Sequence, residues 1–140
     1  MMKIRLLIKK DFAMIGNKIV LDTNALIFFF QGDSEISNLV KNNHVIISVI
    51  SVIEYLSFKK LTSEEESLFK EFCDKIEVVN LSVLENKKLI YESIEISKLY
   101  NLKIADSIIA ATAVLTNATL VTADKEFHKA TNLSLKFITR

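Results

Sequence analysis

The sequence predicts one α/β domain of three layers, in which helices cover both faces of a central, mainly parallel sheet of four to five short strands. Short, continuous apolar runs are typical of strands that are buried on both faces. Segments with helical periodicity and helix-start signals separate these runs, and the chain contains no repeat, linker or low-complexity tract. With 140 residues, 50% hydrophobic and 25% charged, the chain has the size and composition of a single domain.

The predicted strands and helices alternate along most of the chain. The apolar runs predict strands at residues 19–21, 44–48, 77–81 and 119–122, with a fifth, edge strand at 135–138. The helices are expected at residues 25–30 (capped by Asp22 or Thr23), at 34–42, after Ser48 or Ser51 to about residue 60, after Thr62 to about residue 75, after Ser82 to about residue 101, from about residue 105, and as a short turn from Asp124. The Thr62–Glu65 and Ser82–Glu85 pairs each have the spacing of a capping box.

The first 16 residues fit none of these patterns. We predict that residues 1–16 are an N-terminal extension, or lie partly before an alternative start at Met14, and that residues 17–140 form the domain. The N-terminal segment lacks the apolar core and small-residue cleavage site of a signal peptide, and no apolar run reaches the roughly 18 residues of a membrane span. The expected location is therefore the cytoplasm, with no membrane partner.

The low counts of several residue types exclude whole classes of chemistry. Only two glycines are present, so phosphate-binding glycine loops are absent. One cysteine and two histidines are too few for a disulfide framework or a Cys/His zinc site. A net charge of +1 with Arg5 and Arg140 as the only arginines is not the composition of a non-specific nucleic-acid binder. The chemistry is therefore expected to depend on carboxylates.

Four acidic residues interrupt apolar stretches at positions where a parallel sheet gathers its functional groups. Asp22 follows the first strand, Glu54 lies on the helix after the second strand, and Asp124 lies two residues after the fourth. Asp106 begins a helix and is able to face the same edge. Grouped, partly buried carboxylates without neighbouring arginines are typical of a Mg²⁺ or Mn²⁺ site. The alternative is structural: Asp22, Asp106 and Asp124 are each equally suited to cap a helix, whereas Glu54 has no such role.

The residues around these acids resemble the PIN domain family, and more narrowly the VapC-type toxins of toxin–antitoxin pairs. The resemblance rests on four motifs in the family's order: IVLDTN (19–24), SVIEYL (51–56), KIADSIIAATA (103–113) and TLVTADKEF (119–127). It implies a three-layer PIN-like fold and an endoribonuclease that depends on Mg²⁺ or Mn²⁺. It places Asp22, Glu54, Asp106 and Asp124 on the catalytic, metal-binding acids.

Supporting roles follow from the same resemblance. Thr122 matches the family's hydroxyl residue before the last acid, and Asn24 the small polar residue that orients the first acid. Lys103 and Lys125 stand beside two of the acids and are candidate phosphate contacts for an RNA substrate, although solvated surface lysines are the simpler interpretation.

The resemblance also implies a protein antitoxin partner and a homodimer. The run Phe28-Phe29-Phe30 has two interpretations: a helix sandwiched between layers, or an apolar patch in which at least one ring serves dimerisation or antitoxin binding. A different class of function stays open, namely a catalytically silent PIN-like module that binds RNA or a protein without cutting.

Overall fold

A computed structural model describes residues 2–9 and 16–140 of the chain. Its centre is a sheet of five parallel strands in the order β3-β2-β1-β4-β5. The strands are β1 (Lys18–Leu21), β2 (His44–Ser48), β3 (Glu77–Val79), β4 (Thr119–Thr122) and β5 (Leu135–Phe137). The parallel sheet and its edge strand β5 agree with the fold class predicted from the sequence.

Helices cover both faces of this sheet. They are α1 (Met2–Lys9), α2 (Thr23–Phe30), α3 (Ser34–Asn42), α4 (Val49–Leu56), α5 (Ser63–Cys73), α6 (Lys87–Tyr100) and α7 (Ile104–Thr116), and a 3₁₀ helix, Lys125–Lys129, follows β4. Alternate strand residues enter two separate apolar clusters: Leu21 and Ile47 pack in the layer of α1, α2, α3 and α5, and Val20 and Ile46 in the layer of α6 and α7. The three-layer α/β/α architecture is thereby confirmed.

Most helix starts follow the predicted capping signals. The alternative that Asp106 caps a helix is wrong, because Lys103 occupies the cap position of α7 and Asp106 lies within its first turn. Asp22 caps α2, Ser48 caps α4, and Thr62 forms a complete capping box with Glu65 at the start of α5. The expected capping box at Ser82 is wrong. Ser82 accepts a hydrogen bond from the Glu85 amide (3.2 Å) within a turn, and α6 begins only after Asn86.

Helix α4 is shorter than the sequence predicts. It ends at Leu56 rather than near residue 60, and its cap residue Ser57 donates its hydroxyl to the carbonyl oxygen of Ile53 (2.6 Å). The chain then turns, and Phe58 is left 44% exposed. This early end of the helix brings an aromatic ring to the surface beside the carboxyl edge of the sheet.

Helix α1 packs against the domain. Ile4, Leu7 and Ile8 are buried in the same apolar cluster as α2, α3 and α5. Arg5 pairs with Glu64, and the Lys75 ammonium donates to the carbonyl oxygen of Ile8 (2.6 Å). Met14 lies outside the described residues, so the predicted start there and the domain boundary at residue 17 stay predictions.

The phenylalanine run of α2 belongs to the core. Phe29 is fully buried, Phe28 and Phe30 are half-buried, and the Phe30 ring contacts those of Tyr55 and Phe72 at centroid distances of 5.4 and 5.5 Å. No ring of the run is exposed, because α2 is covered by α3, α4 and α5. The sandwiched-helix interpretation is therefore the one the structure supports.

Within the described ranges, no single helix is long and apolar enough to cross a membrane, and only α6 with α7, a pair bent by 118°, meets the length and composition criteria together.

Candidate active site

The four predicted acids line one pocket at the carboxyl edge of the sheet. Asp22 follows β1 and Asp124 follows β4, and these two strands are neighbours in the sheet. Glu54 projects from α4, which follows β2, and Asp106 lies in the first turn of α7. The pocket has a volume of about 250 Å³. Its walls also include Thr23, Asn24, Phe58 and Ile109.

Asp22 is both a helix cap and a pocket residue. Its side chain is only 3% exposed. One carboxylate oxygen accepts the Ala25 amide (2.8 Å) at the start of α2, and the other accepts the Thr122 hydroxyl. The Thr122 oxygen in turn accepts the amide of Asp124 (2.9 Å). Thr122 therefore ties the first acid to the last, and the capping role of Asp22 does not compete with its place in the pocket.

Burial and the charges of neighbouring acids make two of these carboxylates, those of Asp22 and Asp106, hard to ionise. Burial raises the pKa of Asp22 to about 6, and the charges of Asp124 and Asp106 add to this rise, although the hydrogen bonds from Thr122 and Ala25 oppose it. Burial also raises the pKa of Asp106, together with the charges of Asp124 and Glu54, while the Lys103 ammonium lowers it. The pocket is therefore a region of concentrated negative charge that favours a bound cation.

Neither arginine compensates these charges. Arg140 forms hydrogen-bonded ion pairs with Asp33 and Glu35 at the start of α3, and Arg5 pairs with Glu64 on α5. Lys103 is the lysine whose charge reaches Asp106.

Glu54 is held by a residue that the sequence did not single out as functional. Its carboxylate is exposed and accepts a hydrogen bond from the Thr23 hydroxyl (2.6 Å). The Thr23 oxygen also lies 3.2 Å from the hydroxyl of Ser51, which is fully buried. The sequence signals were the position of Thr23 beside the first acid and that of Ser51 one helical turn before Glu54, but nothing in the sequence shows that they meet.

The other predicted site residues are less closely engaged. Asn24 is exposed at the pocket wall, and the hydrogen bonds that orient Asp22 come from Thr122 and Ala25 instead. Lys125 is exposed at the start of the 3₁₀ helix. His128, which is outside the predicted set, lies on the same short helix, with its ring stacked on Phe137 at a centroid distance of 4.6 Å.

The donor set fits a hard divalent cation by its chemistry. All four acids offer carboxylate oxygens, the ligands that Mg²⁺ and Mn²⁺ prefer. Over residues 2–9 and 16–140, however, no three Asp, Glu, His or Cys side chains converge into a ready-made metal cage. The acids line a pocket with space for water, which agrees with the reluctance of Mg²⁺ to give up its waters and its use of few protein carboxylates.

The match to known families agrees with the fold and the pocket. The family model of the PIN domain matches residues 19–133, so the chain belongs to the PIN domain family. This confirms the resemblance seen in the four sequence motifs. The comparison with curated proteins gives no significant match.

Several solved structures of toxin–antitoxin complexes are similar to this chain. VapBC2 from Rickettsia felis, bound to a DNA fragment from its promoter, is 28% identical with a TM-score of 0.71, over 86% of this chain and 98% of that chain. A toxin–antitoxin complex from Klebsiella pneumoniae is 27% identical with a TM-score of 0.69, over 82% and 94%. VapBC-1 from nontypeable Haemophilus influenzae shares the fold, at 19% identity and a TM-score of 0.66, over 86% and 97%. Beyond its membership of the PIN domain family, the chain is therefore similar in sequence and fold to chains of toxin–antitoxin complexes.

Proposed function

We propose that this protein is a metal-dependent endoribonuclease that hydrolyses RNA phosphodiester bonds and acts as the toxin of a toxin–antitoxin pair. The observation that carries the proposal is the single pocket that Asp22, Glu54, Asp106 and Asp124 line together, although they come from distant parts of the chain. The family membership of the chain and its likeness to toxin–antitoxin complexes support the same reading.

The four acids and Thr122 have distinct roles in this chemistry. Asp22 and Asp106 would hold Mg²⁺ or Mn²⁺ directly, with Glu54 and Asp124 acting directly or through water. The bound cation supplies Lewis-acid chemistry, which lowers the pKa of water and neutralises charge on the phosphate. Thr122 fixes the carboxylate of Asp22 by its hydrogen bond.

Two features of the pocket margin suit an RNA chain. The ring of Phe58 is exposed at the wall of the pocket and offers a face on which an unpaired base can stack. The exposed ammonium of Lys103 lies close enough to Asp106 to affect its pKa, and it is a candidate contact for a neighbouring phosphate, with Lys125 as a second candidate.

The nuclease part of the proposal is tested by cleavage of a structured RNA mixture with Mg²⁺ or Mn²⁺, with and without a chelator. We expect cleavage to require the metal and to fall by about 100-fold or more in Asp22→Asn and in Asp106→Asn, because each variant removes a negatively charged ligand. Asp74→Asn is the matched control, because Asp74 is an exposed carboxylate outside the pocket. If both pocket variants cut RNA as fast as the parent, the proposed site is wrong.

The same preparation distinguishes a nuclease from a silent binding module. A module that binds RNA or protein without cutting would retain RNA in a filter-binding assay and leave it intact at every metal concentration. Binding of Mn²⁺, measured by calorimetry and by the rise in melting temperature, gives a readout that does not depend on finding the right RNA.

The biological role is proposed together with its partners and location. We expect a protein antitoxin, a homodimer and a cytoplasmic site of action. Expression of the chain alone is expected to arrest growth, and co-expression of an adjacent antitoxin gene to relieve the arrest. Light scattering at micromolar concentration tests the dimer, and a monomer there would contradict it.

A further inference from the structure

We infer that Thr23 is a positioning residue that holds Glu54 in the metal-binding pocket, an inference that rests on the proposed function. Within residues 16–140, the hydrogen bond that Glu54 receives comes from the Thr23 hydroxyl, at 2.6 Å. No Lys or Arg forms an ion pair with Glu54 in the same part of the chain. The Thr23 hydroxyl is therefore the group that restrains the Glu54 carboxylate in this part of the chain.

Glu54 needs such a partner more than the other acids do. Asp22 is buried and receives two hydrogen bonds, and Asp106 is half-buried on the first turn of α7. Glu54 is exposed, and its longer side chain has more rotamer freedom to lose when it is held in one place. A fixed donor removes part of that cost before a ligand arrives.

The hydroxyl of Thr23 is itself held in position from two sides. Thr23 is the first residue of α2, whose start is fixed by the cap between Asp22 and the Ala25 amide. The oxygen of Ser51 lies 3.2 Å from the Thr23 oxygen. A threonine hydroxyl has one proton, so the shorter contact to Glu54 takes it, and the Ser51 oxygen is a second, longer polar contact of the same hydroxyl.

This arrangement connects the first and second acids of the site. Thr23 follows Asp22 directly in the chain, whereas Glu54 lies 31 residues away from it on α4. The hydrogen bond therefore links the start of α2, which Asp22 caps, to the Glu54 carboxylate on α4. A group that orients a metal ligand typically changes metal affinity by 10–100-fold when it is removed.

The test compares Thr23→Val, which removes the hydroxyl at nearly constant volume, with Thr23→Ser, which keeps it. We expect Thr23→Val to weaken Mn²⁺ binding about 10-fold by calorimetry, and to raise by a similar factor the Mn²⁺ concentration that gives half-maximal cleavage. Thr23→Ser is expected to stay close to the parent. Thr116→Val is the matched control, because the Thr116 hydroxyl bonds within α7 to the carbonyl oxygen of Thr112 (2.7 Å).

A double-mutant cycle with Glu54→Ala, which removes the acceptor, shows whether Thr23 acts through Glu54. We expect Thr23→Val to weaken Mn²⁺ binding in the parent and to add little in the Glu54→Ala background. An equal loss in both backgrounds, or a Thr23→Val protein that binds Mn²⁺ like the parent, overturns the inference and leaves the nuclease proposal intact. A parent protein that neither binds Mn²⁺ nor cleaves RNA overturns the proposed function, and the inference falls with it.

Discussion

The side chain of Asp22 has two roles, as a helix cap and as a pocket residue. Its carboxylate caps α2 through the Ala25 amide and also faces the pocket, where it accepts the Thr122 hydroxyl. Both bonds favour the ionised form, yet burial outweighs them and keeps the pKa of Asp22 at about 6. A carboxyl group whose pKa is raised by burial is typical of a functional site, whereas a carboxylate that only caps a helix has no need of such burial.

This pKa predicts how the metal-free protein responds to pH. Because the pKa of Asp22 is higher in the folded chain than in the unfolded one, the folded state binds more protons between about pH 4 and pH 6. The free energy of unfolding should therefore fall as the pH rises through this interval, by about 3 kcal/mol at most from this residue. Urea denaturation in the presence of a chelator at pH 4 to 8 measures how the free energy of unfolding changes with pH.

Asp22→Asn is expected to flatten that slope, since asparagine still caps a helix but does not ionise. A smaller slope should remain, because the pKa of Asp106 is raised in the same direction. Asp74→Asn serves as the control and should keep the slope of the parent. Equal slopes in the parent and in Asp22→Asn would show that Asp22 does not titrate in this range.

At the scale of elements, the two glycines stand at chain turns with different surroundings. Gly16, before β1, has φ +86°, and a Cβ there would lie 2.7 Å from the carbonyl oxygen of Asn42 at the end of α3. Gly32, between α2 and α3, has φ +90°, but a Cβ there would have no heavy atom within 4 Å. Both conformations favour glycine, and only Gly16 is also required by a close backbone approach.

Replacing each of these two glycines by alanine should lower the free energy of unfolding by different amounts. Gly32→Ala should lower the free energy of unfolding by about 1 kcal/mol through backbone strain alone. Gly16→Ala should cost clearly more, because the clash with the Asn42 carbonyl has to be relieved by moving the backbone. Thermal and urea denaturation of the two variants give the comparison, and a Gly16→Ala protein as stable as Gly32→Ala would contradict the close approach.

Over the whole molecule, α1 extends the core beyond the segment that matches the PIN family model. The match begins at residue 19, yet Ile4, Leu7 and Ile8 are buried against α3 and α5. Lys75 also donates to the carbonyl oxygen of Ile8. The N-terminal helix therefore contributes apolar burial to the layer that supports α2, the helix that carries Asp22 and Thr23 at its start.

Shortening side chains of α1 to alanine should destabilise the protein more where the side chain is buried. Ile8→Ala is expected to lower the free energy of unfolding by about 2–5 kcal/mol, because Ile8 is fully buried. Leu6→Ala, on the same helix, should change it by less than about 0.5 kcal/mol, because Leu6 is 61% exposed. If the two variants unfold at the same denaturant concentration, α1 does not pack as described.

The order of strands and helices, most of the helix caps and the identity of the four acids were readable from the sequence. These features depend on neighbours within a few residues: apolar runs predict buried strands, and Thr62 with Glu65 predicts a helix start. The same local signal misled at Ser82, where the side chain stabilises a turn and the helix begins later.

Tertiary structure alone decided how the acids are held. The bond between Thr122 and Asp22 joins residues 100 positions apart, and the bond between Thr23 and Glu54 joins residues 31 apart. The burial that raises the pKa of Asp22 likewise arises from the layers packed around it. Local sequence patterns predict which residues lie at the edge of the sheet. The hydrogen bonds and the desolvation of these residues depend instead on which distant elements the fold brings into contact.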